Sequence, residues 1–170
     1  MTLDQAVQKA TTRLVTTDLL EDLTSELLDM GVKIAGIKLG SRGFYLRTGT
    51  LLSLQNLGRA APANLDAWAD KRLWAPCFQV KVAGTTGAGD STNAGFLAAL
   101  LRGMTPEKAL TMGVAVGACN VEAVDSLSGI CSWEAAENRI SSGWKRDELI
   151  LHNKGWQWNE TYQLWIGEKN

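Results

Sequence analysis

The stretch from Val82 to Phe96 constrains this chain more than any other. A β-prone approach, Phe78-Gln79-Val80-Lys81-Val82, runs into glycines at 84, 87 and 89, and a carboxylate, Asp90, opens an apolar helix. Strand, glycine turn and helix in that order belong to α/β architectures. Small residues let the backbone of Gly87, Ala88 and Gly89 curl so that successive N–H groups converge. The following helix adds unpaired N–H groups and the positive end of its dipole, so the loop is a place for an anion. A carboxylate on its rim would only repel phosphate unless it takes a proton from an attacking hydroxyl. Asp90 therefore points to a base in phosphoryl transfer. A plainer role, capping the helix near Asn93, stays open on sequence alone.

Two familiar phosphate loops are disfavoured. No Gly-Lys-Ser/Thr follows the glycines, so no lysine grips phosphates as in a P-loop. The order G-x-G-x-x-G of dinucleotide folds is also missing.

Upstream, apolar positions from Ala6 to Leu28 recur at helical spacing, in two pieces or one broken helix, with Asp18 as a cap for the second. Gly31 ends that helix. The β-rich run Val32–Leu39 stops at Gly40-Ser41-Arg42-Gly43, and a second strand covers Phe44–Arg47. Residues 48–75 are irregular, with a short helix at Leu65–Trp74. Phe78–Val82 alternates and reads as a strand. A helix from Asp90 to Leu101 stops at Gly103. Thr105-Pro106-Glu107 opens the next helix, which runs to about Ala123. Its small residues Gly113, Ala115, Gly117 and Ala118 suit close approach of another backbone or of a flat ligand, tight packing on the preceding helix being the commoner explanation. Ser132-Trp133-Glu134-Ala135 begins a last helix to about Ile140. Four of the seven tryptophans follow residue 143, and Gly155–Trp165 reads as a hairpin with an aromatic face closing over the body.

With 170 residues the chain fits one core. Seventeen basic and 18 acidic side chains, net charge −1, exclude a broad polyanion-binding face, so nucleic acid is not an expected partner. No apolar run approaches a membrane span, and Met1-Thr2-Leu3-Asp4 lacks signal character, which reads as a soluble cytoplasmic protein with no membrane partner. Cys77, Cys119 and Cys131 are read as reduced thiols, without a disulfide framework or a protein-held metal. His152, the sole histidine, is read as exposed, so no histidine base is expected.

The run Gly84-Thr85-Thr86-Gly87-Ala88-Gly89-Asp90-Ser91-Thr92-Asn93-Ala94-Gly95-Phe96 resembles the C-terminal signature of the ribokinase-like PfkB carbohydrate kinases. Lys38-Leu39-Gly40-Ser41-Arg42-Gly43 resembles that family's strand-end turn beside the nucleotide. The helix Val114–Asn120 and the loop Ser128-Gly129-Ile130 resemble its adenine-side and cation-side segments. The resemblance spans roughly residues 24–142. It implies the C-terminal half of a three-layer α/β/α ribokinase-like fold, with residues 1–143 as the nucleotide-binding and catalytic part and 144–170 as a Trp-rich extension. It further implies ATP-dependent phosphorylation of a hydroxyl on a sugar or sugar-like molecule, with ATP and Mg²⁺. Asp90 would be the catalytic base and Gly87, Ala88 and Gly89 the anion hole. Lys38, Gly40, Ser41, Arg42, Gly43, Thr86 and Asn120 would border the nucleotide.

Two departures accompany the resemblance. Gly84 stands where the family usually has an Asp that helps hold a monovalent cation, so that cation is doubtful here. Family members are also about twice this length. A half-sheet leaves an open edge and a bare apolar face, so a separate N-terminal half chain or a homo-oligomer is an expected partner. Truncation, a split enzyme and a non-catalytic nucleotide-binding or interaction module are the competing readings. A start at Met1 within what resembles a normal family helix favours the first two.

Overall fold

The computed structural model describes residues 14–151 and 153–168. The first predicted helical piece and His152 therefore lie outside the described residues.

Helix α1 (Thr17–Asp29) starts at Thr16, whose hydroxyl accepts from the Leu19 N–H at 3.2 Å. Thr16, and not Asp18, is thus the cap; Asp18 sits in the first turn, where a negative charge suits the helix dipole. Gly31, at φ 99°, turns the chain out of the helix. The two predicted strands are present as β1 (Ile34–Lys38) and β2 (Phe44–Thr48), and they pair antiparallel, with Lys38 opposite Phe44 and a 3₁₀ turn at Gly40–Arg42.

Two short helices, α2 (Leu51–Leu54) and α3 (Leu65–Trp68), precede β3 (Arg72–Ala75). This corrects two expectations. The strand lies where a helix was expected to run on to Trp74, and Phe78–Val82 is not a sheet strand. Asp70, at φ 55°, ends the helical stretch, and Arg72, Leu73, Trp74 and Ala75 are all buried beside β2. Phe78 instead makes an isolated bridge with Arg146, and the Gln79 N–H donates to Lys145 O at 2.8 Å.

Three longer helices follow: α4 (Ala88–Leu101), α5 (Pro106–Asn120) and α6 (Trp133–Ser141). Pro106 at the start of α5 fits an N-terminal turn that needs no N–H, and the Ser132 hydroxyl caps α6 by accepting from Ala135 N. The chain closes with β4 (Trp156–Asn159) and β5 (Leu164–Gly167).

The sheet order is β1-β2-β3-β5-β4, antiparallel throughout. The Trp-rich hairpin therefore extends the sheet by pairing β5 with β3, Leu73 opposite Ile166. Alternation along β2 and β3 makes the layers. Phe44, Leu46, Leu73 and Ala75 pack with Phe96, Ala99, Leu110 and Ala115 of α4 and α5. Tyr45 and Trp74 pack with Leu20 of α1 and with Trp156 of the hairpin. Helices thus cover both faces of the sheet. Edge-on ring contacts, Phe44–Phe96 at 5.5 Å and Trp68–Phe96 at 5.9 Å, each add about 0.5–1.5 kcal/mol beyond burial.

Of the two readings of the small residues of α5, the glycines serve packing on α4. A Cβ on Gly95 would lie 2.8 Å from Val116, and one on Gly113 would lie 3.0 Å from the Thr92 carbonyl. This close fit sets α4 directly on α5. Among the described residues one edge of strand β1 has no strand partner, and the outer side of α4 carries Asn93, Ala94, Leu97 and Leu101 exposed in line with Asp90.

Candidate functional site

The end of β1 and the start of α4 meet. Lys38, the last residue of β1, donates from Nζ to the carbonyl of Gly89 at 3.0 Å. A Cβ on Gly89 would lie 2.9 Å from that same nitrogen, so glycine admits the lysine. Gly87 takes the left-handed conformation, φ 77°, and turns the chain into α4 without any side-chain cap. The Ala88 N–H donates to Thr85 O at 3.3 Å and Ser91 N–H to Gly87 O at 2.9 Å. Between them, the N–H groups of Gly89 and Asp90 belong to the first helical turn, which has no carbonyl one turn back.

Asp90 lies exposed in that turn. Among the described residues its carboxylate has no hydrogen-bond or ion-pair partner. It does not cap the helix, because the cap position belongs to Gly87 and carries no side-chain bond. A carboxylate left free at the positive end of a 14-residue helix, beside an ammonium tied to the preceding carbonyl, can accept a proton from a hydroxyl brought to the rim.

The back wall of the loop is the segment 121–130. The N–H groups of Ala83 and Gly84 both reach Val121 O, at 2.8 and 3.3 Å. A Cβ on Gly84 would lie 2.6 Å from Val124 O, and one on Gly87 would lie 2.8 Å from the Ser126 side chain. Gly84 is therefore demanded by backbone approach. Asn120, fully buried at the end of α5, holds the wall by donating to Ser126 O at 2.8 Å, while its own Oδ1 has no partner among the described residues. Asp125 folds the wall on itself by accepting from Leu127 N, Ser128 N and the Ser128 hydroxyl, and those bonds pull its carboxyl from 3.8 down to about 2.

The predicted nucleotide-side residues separate into two groups. Lys38, Thr86, Gly87, Ala88, Gly89 and Asp90 are brought together at the loop, with Thr86 exposed on it. The turn Gly40–Gly43 begins two residues after Lys38 and is fastened to the end of β3. A Cβ on Gly43, at φ 88°, would collide with the Ala75 carbonyl, and the Cys77 thiol donates to Gly40 O at 3.2 Å. Ser41 is exposed. The Arg42 guanidinium lies 4.6 Å from the centre of the Trp74 ring and donates to Val15 O at 2.5 Å; burial pulls its pKa down. Asn120 reaches the loop only through Ser126. Sequence reasoning missed the 121–126 wall, whose only sign was three glycines ahead of Asp90 with no obvious turn type to demand each one.

Among the described residues, no three His, Cys, Asp or Glu side chains gather to hold a metal ion. One free carboxylate beside the glycine loop would fit an Mg²⁺ that keeps most of its waters, since that ion needs only one or two protein oxygens. No described helix is long and apolar enough to cross a membrane.

Residues 3–131 match the pfkB family carbohydrate kinase model. An uncharacterized sugar kinase of Archaeoglobus fulgidus is 30% identical over 103 residues, 61% of this chain and 33% of that protein. A nucleoside kinase of Methanocaldococcus jannaschii is 38% identical over 72 residues, 42% of this chain and 24% of its own length. Among solved structures, the ribokinase of Thermotoga maritima superposes with a TM-score of 0.53 at 30% identity, covering 69% of this chain and 33% of that one. The chain thus spans a quarter to a third of the length of these relatives, and its fold is ribokinase-like. With a match that takes in the glycine loop, Asp90, the Lys38 strand end and the 121–130 wall together, the chain belongs to the pfkB family of carbohydrate kinases.

Proposed function

We propose that this chain is the nucleotide-binding and catalytic part of an ATP-dependent kinase that phosphorylates a hydroxyl of a sugar or sugar-like molecule. The observation that carries the reading is the unpaired Asp90 carboxylate in the first turn of α4, one residue beyond the Gly89 carbonyl held by Lys38. Asp90 takes the proton of the acceptor hydroxyl. The first-turn N–H groups and the Lys38 ammonium receive the phosphoryl oxygens, over which charge spreads in a loose transition state. Mg²⁺ bound with the nucleotide supplies further charge neutralisation there. The wall is fastened to the end of α5 and to the Ala83–Gly84 amides, and the Gly40–Gly43 turn to the end of β3, so the donors keep their positions during transfer.

The acceptor side is completed by a further part of the fold, on a longer polypeptide or a separate chain. Support comes from the edge of β1 that has no strand partner among the described residues, from the exposed stripe Ala94, Leu97 and Leu101 below Asp90, and from the chain's length against its relatives. That same length favours a second reading, a nucleotide-binding module without catalysis. Mg-ATP binding and sugar-dependent ADP release, measured with and without an added N-terminal half, separate the two. Turnover restored by the added half supports the kinase. Binding that never leads to turnover with any complementing half supports the module, and no Mg-ATP binding at all defeats both.

A further inference from the structure

Two cysteines stand against each other outside the loop chemistry. Cys119 is buried in the last turn of α5, and Cys131 is half-buried just before the Ser132 cap of α6. Their sulfurs are 2.7 Å apart, with the Cys131 thiol donating to Cys119. A disulfide needs about 2.05 Å, so a closing movement of roughly 0.7 Å suffices. Cys77 is not involved; its thiol donates to Gly40 O near the end of β3.

The residues between the two cysteines are the wall of the glycine loop. At one end Asn120 and Val121 hold Ser126 and the Ala83–Gly84 amides. At the other, Gly129 comes so close that a Cβ there would lie 2.5 Å from Asn120 O and 2.6 Å from Cys119 O. A bond between the two sulfurs would fasten both ends of this wall at one point.

We infer that Cys119 and Cys131 form a reversible disulfide, made by exchange with a small disulfide such as oxidised glutathione, that clamps the segment behind the glycine loop. The half-exposed Cys131 thiolate attacks one sulfur of oxidised glutathione, forming a mixed disulfide and releasing one glutathione thiolate. Cys119 then attacks the Cys131 sulfur, forming the protein disulfide; its proton leaves on the second glutathione. Each exchange breaks one sulfur–sulfur bond and makes one. The order follows from access and from Cys119 itself, whose thiol is pushed up to about 12 by burial first and by Cys131 next, which disfavours it as the first attacker. The Arg139 guanidinium, 3.5 Å from the Cys119 sulfur, favours the thiolate as it forms.

The test needs no kinase activity. The chain is incubated with oxidised glutathione, free thiols are counted, and unreduced peptides are mapped by mass spectrometry. The expected result is a fall from three free thiols to one, a mass lower by two hydrogens, and one cross-linked peptide pair containing Cys119 and Cys131. Melting temperature should rise on oxidation and return on reduction. In C77S the count should fall from two to none, and in C131S no internal bridge should form. A stable glutathione adduct on Cys131 in place of the bridge, a bridge to Cys77, or three thiols that persist would each overturn the inference.

Discussion

The Lys38 ammonium and the Gly89 carbonyl lie 3.0 Å apart although 51 positions separate them in the chain. The bond joins the end of a strand to the first turn of a helix, one residue ahead of Asp90. A charge is thereby set next to the glycine loop by the sheet, and the loop itself carries no lysine.

Asp90→Asn keeps size and polarity but cannot take a proton. In a chain completed on its acceptor side, turnover should fall about 10²–10⁴-fold, while Mg-ATP binding measured by calorimetry stays close to that of the unaltered protein. Near-normal turnover would remove Asp90 from the role of base.

Lys38→Met retains most of the stem and loses the charge. Mg-ATP should bind roughly tenfold more weakly, about 1.4 kcal/mol, with little change in melting temperature because the ammonium is solvent-exposed. Unchanged affinity would mean that Lys38 only braces Gly89.

Gly84→Asp restores the residue usual in the family and tests the backbone approach. The new Cβ would meet Val124 O at 2.6 Å and Ala123 O at 2.9 Å. Overpacking of this kind costs about 1–3 kcal/mol, so thermal unfolding should move down, and potassium should not stimulate nucleotide binding. A variant as stable as the parent that gains a potassium response would show that the wall yields easily.

Acid should loosen the wall through Asp125. Its folded pKa is depressed from 3.8 to about 2, chiefly by the Ser128 hydroxyl and the Ser128 N–H. A depressed carboxylate supports its loop above the unfolded value and loses that support as pH falls from about 4 through about 2. Amide chemical shifts of Leu127 and Ser128 should titrate in that window, and Asp125→Asn should abolish the transition. A titration that persists in the variant would assign it to another group.

The helices were legible because their ends are written locally: Pro106 after Thr105, Ser132 three residues before Ala135, and the stop at Gly103 with φ 75°. The strand β3 was not. Arg72, Leu73, Trp74 and Ala75 are buried on both faces, so no alternation marks them. Phe78–Val82 misleads for the opposite reason. Phe78 packs 4.4 Å from the Trp144 ring and 4.2 Å from the Arg146 guanidinium carbon, contacts with residues far along the chain that mimic a half-buried strand. At the site, the loop and Asp90 stood out as a motif. The wall behind them did not, because it meets Gly84 with backbone carbonyls and Gly87 with the Cβ and carbonyl of a single serine, Ser126, and so carries no residue signature.

The hairpin's seat on β3 has a consequence in time. Arg72 donates to the Glu168 carbonyl 96 positions later, and Trp74 faces Trp165 across the same join. On the ribosome β3 must wait, one side bare, until residues 164–167 have been made. Such a long-range pairing forms late and slowly. A nascent chain held before that point offers a chaperone, or a neighbouring copy, an apolar strand that the finished protein conceals.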